Sequence, residues 1–466
     1  MEEQKSEERN ILAYESPEKL LKMFAWPAII SMLANSLYNI IDQIFIGQAV
    51  GYLGNAATTI AFPIVTVVLA LGTLFGVGGS AFAAIKLGEG RKDVAEKVLN
   101  TVTTMSFIIG ILMMIAGLIN LEPILKIFGA TDQTMQYSKE FGGVMIAIIP
   151  FTMLIIGLAN LARADGSPRL AMRSLVGGVL INLVLAPFFI FQFKWGVWGA
   201  ALATACAQIF SLCVLIWYFI RSSKMRLSLH YLLKPDLNIC RKVMAIGFSS
   251  CILQSGATIL QICMNNSLLY YGNLSPVGGD MAISAMGIVM KVNMIVISTC
   301  VGIGMGAQPI IGFNRGADAP ARVKATYLLA ARIASIITIS GWLCCQFIPE
   351  EILQIFGSNG ENFMDFAVSC MRLFLGGVFV AGFQIISTSY FQATGQPLKA
   401  TILSMLRQLI LLLPLIFLLP LWFGLYGILY AGMISDLVAA SIVAVFMIKE
   451  MKKLNREIAN KTDIAK

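Results

Sequence analysis

Charge is scarce in this chain. Only 13% of the 466 residues are Asp, Glu, Lys or Arg, about half the share of an ordinary soluble domain. Histidine is nearly absent. His230 stands alone, in a basic stretch that reads as a solvated loop, so no apolar segment has an imidazole for acid–base or metal chemistry. HExxH, GxSxG and Walker sequences are missing. The nine cysteines lack metal-ligand spacing, which predicts free thiols and no metal centre. We therefore expect no enzyme and no cofactor. What remains is apolar: 58% of residues are hydrophobic and the mean hydropathy is +0.80. Such a chain belongs in a bilayer. Its first 18 residues, MEEQKSEERNILAYESPE, lack a basic start and a cleavage site, and read as a retained tail.

Apolar segments of helical length predict an all-α integral membrane protein with twelve transmembrane helices. The expected spans are 19–47, 56–86, 94–119, 135–164, 170–192, 195–221, 241–271, 280–312, 322–347, 362–393, 398–421 and 423–449. The 34 Lys and Arg residues are unevenly placed. Even-numbered loops hold 17 of them and odd-numbered loops three, Lys126, Lys139 and Lys194. Ten lie in the tails or at the span ends that adjoin them, and four, Lys291, Arg332, Arg372 and Arg407, lie deeper within spans. By the positive-inside rule the even loops and both tails face the cytoplasm. The net charge of +9 thus reflects topology, and no nucleic-acid partner is expected.

The chain also repeats itself. ILKIFGA (124–130) returns as ILQIFGS (352–358), RADGSPRLA (163–171) as QATGQPLKA (392–400), and WGVWGAALA (195–203) as FGLYGILYA (423–431). GEGRKDVAEK near 88 and FNRGADAPARVK near 313 match less closely. The offset stays at 226–229 residues. Two homologous six-helix lobes follow, and an even helix number per lobe makes the repeat parallel. The expected divisions are a cytoplasmic N-terminal tail (1–18), a first lobe (19–221), a basic cytoplasmic linker (222–240), a second lobe (241–449) and a cytoplasmic C-terminal tail (450–466). Two lobes with a polar site between them suit alternating access, and the linker is long enough to let them rock.

Only two carboxylates are expected deep in the hydrocarbon, Asp42 and Asp436. Each costs about 2.5–3.5 kcal/mol on insertion scales. In the first span Ser31, Asn35, Tyr38, Asn39 and Asp42 share one helical face, a wet stripe toward a cavity. A hydrogen-bonding network that only joins helices is the competing explanation, but neutral polar groups would do that job more cheaply. Low dielectric favours the neutral, protonated carboxyl, and a group so poised can load and release a proton. Pro27 either kinks the first span or occupies a tolerated N-terminal position. In the second lobe Gln254, Thr258, Gln261 and Asn265 share a face of span 7. Lys291, Asn293, Gln308, Gln384, Thr388 and Arg407 also sit at membrane depth. Asp436 is expected to pair with Lys291 or Arg407, as a structural ion pair or as part of a cation site. Gly302, Gly304 and Gly306 before Gln308 read as close helix packing, since GxGxG without a preceding strand is a weak nucleotide signal. Met286, Met290 and Met294 form a row that suits either a promiscuous pocket or plain packing.

GIGMGAQPIIGFNRGA (302–317), LARADGSPR, FQATGQP, LRQLILLLPL and NLVLAPFFIF resemble the multidrug and toxic compound extrusion family across nearly the whole chain. WPAIISMLANSLYNIIDQIFIG resembles its DNA-damage-inducible-F-like prokaryotic members. The resemblance implies a secondary active efflux transporter in the bacterial cytoplasmic membrane, acting as a monomer. It would export amphipathic organic cations in exchange for protons or sodium, with bending of the first helix on protonation. It also implies partners for Asp42: Asn160 on span 4, Asn182 on span 5 and Thr204 on span 6. The family's span-5 aspartate is replaced by Ala186. That loss weakens a sodium site more than a one-carboxylate proton site, so the proton is the expected ion. A flippase for lipid-linked precursors, from the same superfamily, is the alternative; many of those have fourteen helices and basic cavities.

Overall fold

The computed structural model describes residues 11–50, 52–128, 130, 134–232, 234–354 and 361–464. No strand occurs among them. The long helices are α1 (Pro17–Val50), α2 (Tyr52–Gly88), α3 (Lys92–Ile119), α4 (Met135–Ala147 with Ile149–Ala164), α5 (Pro168–Pro187), α6 (Gly196–Arg221), α7 (Leu237–Asn273), α8 (Gly279–Gly316), α9 (Pro320–Phe347), α10 (Glu361–Phe374 with Ala381–Ala393), α11 (Pro397–Met405 with Leu413–Leu418) and α12 (Leu425–Ile464). Ten are long and apolar enough to cross a membrane, and the bent pair in α4 makes an eleventh. With α1, which has 34 residues, the chain forms twelve transmembrane helices in two six-helix lobes.

Local sequence explains the starts and the breaks. Pro168, Pro320 and Pro397 occupy the first turns of α5, α9 and α11, where no amide hydrogen bond is lost. The repeat-related Gly166 and Gly395 precede two of these starts at positive φ. α4 bends by 48° just before Pro150, whose missing N–H loosens the ladder. α5 ends in a π-helical turn, Phe188–Gln192, and α11 carries another, Leu406–Leu412. α10 is interrupted by a 3-10 stretch, Leu375–Val380. At 40 residues α12 is about 60 Å long, twice a hydrocarbon core. It continues as helix from the last span into the expected tail as far as Ile464.

The lobes meet through glycines. A Cβ on Gly88 would lie 1.9 Å from the Phe313 carbonyl oxygen, and one on Gly316 would lie 1.9 Å from that of Ile85. These contacts exchange under the 228-residue offset, so the α2–α8 crossing sits on the pseudo-twofold axis. Flanking it, Gly78 meets Val243 and Gly247 meets Leu74, while Gly302 and Gly306 on α8 meet Ile29 and Ala25 on α1. These tight approaches lie in the half of the bundle next to the even-numbered, basic loops.

Packing does not follow chain order at two places. Leu20, Leu21, Phe24 and Ala25, from the first turns of α1, are buried in a core built by α8, α9, α10 and α12. Ile239, Cys240, Val243 and Ile246, from the first turns of α7, are buried in the first lobe's core. Each lobe's opening helix thus starts in the other lobe. Polar ties match this exchange. Arg322 donates to the Leu12 and Glu15 carbonyls (3.2 and 2.5 Å). On the other side, the linker's Ser228 amide donates to Asn100 of α3 (2.9 Å) and Thr104 donates to the Leu232 carbonyl (2.8 Å).

Candidate functional site

Pro27 lies in the interior of α1, ten residues after its start, so an N-terminal helix position does not describe it. Its ring removes one ladder bond, and the Ser31 hydroxyl donates back to its carbonyl at 2.7 Å. The proline sits where α1 passes from the second lobe's core toward α5. About four turns on, Asp42 is half-buried, and its Oδ1 atom is inaccessible and has no hydrogen-bond partner among the described residues. The side chains of Asn35, Tyr38 and Asn39 lie outside those described.

α5 and α6 are held face to face by Ser174 and Ser211, each hydroxyl donating to the other's carbonyl (2.8 and 2.9 Å). Gly178 admits Ser211 there, since a Cβ would lie 2.3 Å from its Oγ. One turn beyond, the buried Asn182 amide donates to Thr204 Oγ1 at 3.0 Å, and Thr204 donates to the Ala200 carbonyl at 3.2 Å. Asn182 and Thr204 are therefore brought together, with Ala186 fully buried one turn on. Asn160 is engaged within α4: its amide donates to Ile156 O (2.8 Å) and its Oδ1 accepts from the buried Arg163 (3.1 Å).

In the second lobe Asp436 pairs with Arg407, not Lys291. Arg407 Nε lies 2.5 Å from Oδ1 and Nη2 lies 3.4 Å from Oδ2. The π turn that contains Arg407 aims it across to α12, as such bulges often do at functional positions. Gly377 allows the approach, because its Cβ would fall 2.5 Å from Asp436 Cβ. Lys291 is exposed and makes no ion pair among the described residues. Gln384 and Gln308, both expected at membrane depth, are buried. Gln384 donates to the Asp436 carbonyl (2.6 Å), and Gln308 reaches the Val77 carbonyl across the lobe seam (3.4 Å). Gln254 is half-buried, while Gln261 donates to Asn265 at 2.9 Å on an exposed stretch of α7. Met286 is in the core and Met294 is 51% exposed, so the methionine row spans two environments and forms no single lining.

Asp165 was missed as a buried carboxylate, because a loop position after RA predicts solvent. It is 2% exposed. Its Oδ2 accepts from Tyr218 (2.6 Å), Ser223 (2.7 Å) and the Lys224 amide (3.2 Å), and its Oδ1 from the Met225 amide (3.2 Å). Burial pushes this carboxyl up from its ordinary value, and the four donors oppose that shift. The cluster pins the linker to the first lobe. The Asp-Gly-Ser-Pro turn beneath a basic strap was the available signal.

The MatE family model matches residues 27–188 and 256–418, two segments separated by the repeat offset. The chain is 27% identical over 440 residues to "Multidrug export protein MepA" of Staphylococcus saprophyticus, covering 92% of this chain and 93% of that protein. It is 24% identical over 434 residues to the Staphylococcus aureus protein of the same name, covering 93% and 94%. Among solved structures, "Outward-facing conformation of a multidrug resistance MATE family transporter of the MOP superfamily" superposes with a TM-score of 0.89 at 22% identity, over 96% of this chain and 99% of that one. "Crystal structure of MATE in the bent conformation" gives 0.88 at 22%, over 96% and 98%. The family model covers more than half of the 466 residues, and the chain belongs to the MatE family.

Proposed function

We propose that this protein is a secondary active multidrug exporter that moves amphipathic organic cations outward in exchange for protons, with Asp42 as the coupling residue. The observation that carries this reading is the inaccessible Asp42 oxygen with no partner among the described residues, on a helix rooted in one lobe and ending in the other. Holding such a group ionised in hydrocarbon is costly, so a proton is its natural ligand. Drug and proton then compete for one charge or for one α1 conformation.

The residues that the resemblance pairs with Asp42 support the proton over sodium. Hard cations need several free oxygen ligands. Asn160 Oδ1 already accepts from the Arg163 guanidinium, which repels a neighbouring cation. Thr204 Oγ1 already accepts from Asn182, and Ala186 supplies no oxygen. The closed seam beside the basic loops supports an outward-facing state, with those loops and both termini cytoplasmic. The ion test is a vesicle assay with separately imposed gradients. We expect a pH gradient alone to drive cationic-dye efflux and a sodium gradient alone to give none; sodium-driven efflux without a pH gradient refutes proton coupling.

A further inference from the structure

We propose that the cleft between the starts of α1 and α5 is a binding site for the phosphate headgroup of an anionic phospholipid. The cleft has a volume of about 440 Å³, and its walls include Lys19, Lys22, Trp26, Pro27, Arg169 and Arg173, with no acidic side chain among its lining residues. Lys19 is occupied by Glu15, at 2.7 Å on the same helix. Lys22, Arg169 and Arg173 are exposed and make no ion pair among the described residues. Three unneutralised cations therefore converge on one cavity, at the bilayer edge where the basic loops lie. Basic pockets between transmembrane helices at this level suit phospholipid headgroups. Trp26 is 63% exposed beside them, an indole at the depth where aromatic side chains meet headgroups.

The duplicated fold supplies an internal control. Under the 229-residue offset of the α4–α5 loop, Arg169 corresponds to Leu398 and Arg173 to Ile402. The second lobe builds the same loop and the same helix start with two apolar residues, so the fold does not require the arginines. Their presence in one lobe only marks a recognition feature. The site also bridges the lobes, because this part of α1 packs with the second lobe and α5 belongs to the first. A headgroup held by Lys22 with Arg169 and Arg173 fastens the closed side of the seam next to Pro27.

The test uses the purified full-length protein, titrated with phosphatidylglycerol and with phosphatidylcholine and read by native mass spectrometry. Wild type should retain phosphatidylglycerol preferentially. The triple variant Lys22→Gln, Arg169→Gln, Arg173→Gln should lose roughly a hundredfold of that preference, at about fivefold per cation. The double variant Arg169→Leu, Arg173→Ile borrows the second lobe's own residues and should lose roughly tenfold or more while keeping the wild-type melting temperature. Excess inorganic phosphate should leave the bound lipid in place. Equal retention of the two lipids by wild type, or undiminished preference in the double variant, overturns the proposal. Complete displacement by inorganic phosphate overturns the lipid as the ligand and points to a free phosphate.

Discussion

At the scale of single residues, burial decides what each carboxylate can do. Asp436 and Arg407 satisfy one another, so removing one partner strands a charge. We expect Arg407→Met to lower stability by about 3–5 kcal/mol, and the double change Arg407→Met, Asp436→Leu to recover most of it; thermal unfolding in detergent measures both. Asp165 gives a pH signature. Burial raises its carboxyl pKa in the folded protein above the unfolded value of 3.8. The folded state then binds the proton more tightly, so this group's contribution is greatest at low pH and falls as pH rises through the folded value. Asp165→Asn should remove that slope; an unchanged stability-versus-pH profile counts against it. Of these groups, Asp42 and Asp436 were legible in the sequence, because charge inside a long apolar run is conspicuous. Asp165 was not, since its shielding comes from Tyr218 and from the linker, 53 to 60 residues away in sequence.

At the scale of elements, the helices themselves were readable, and the expected spans agree with them to within a few residues, because twenty-odd apolar residues between polar breaks permit little else; the exception is the end of α12, which runs on to Ile464, well past the expected 449. Their partners were not. Hydropathy says that the start of α7 is buried without saying in which lobe. The glycine pair Gly88 and Gly316, equal under the repeat offset, was a sequence signal for the crossing. The π turns and the 3-10 stretch had none, because those in α10 and α11 depend on how these helices meet α12, and the one that ends α5 depends on how it meets α6. A test of the crossing is Gly247→Leu. Its Cβ would lie 1.8 Å from the Leu74 carbonyl oxygen, a backbone atom that cannot swing aside. We expect this variant to disfavour the closed seam, with a rise in cysteine labelling introduced at Ser249; unchanged labelling contradicts the packing. The linker, expected to be long enough to let the lobes rock, is strapped to α3 and Asp165. Asp165→Ala leaves Ser223 and the Lys224 and Met225 amides without their carboxylate acceptor and Tyr218 with Ser167 alone, at a cost of about 2–4 kcal/mol. Trypsin should then cut between Arg221 and Lys234 faster than in wild type, as local opening becomes easier.

At the scale of the whole molecule, two lobes exchange the starts of their first helices, so a change in the shape of α1 is felt by both. Charge placement predicts that the even loops share one side. Reporter fusions at Lys92 and Gly278 should report opposite sides of the membrane, and the same side for both contradicts the arrangement. The duplication was legible from RADGSPRLA and QATGQPLKA, and with it the two-lobed architecture. The exchange between lobes was not, because it lives in contacts between Gly302 and Ile29 that no local pattern encodes. In the proposed mechanism, drug and proton exclude one another through Asp42. Linkage then requires that drug binding release protons, in the same ratio as protons weaken drug binding. The direct measurement is proton release from purified protein in a weakly buffered solution on addition of a cationic dye. Wild type should release up to about one proton per dye bound, with Asp42 as the sole source, and Asp42→Asn should bind the dye and release none. Equal release from wild type and Asp42→Asn would remove Asp42 from the coupling mechanism.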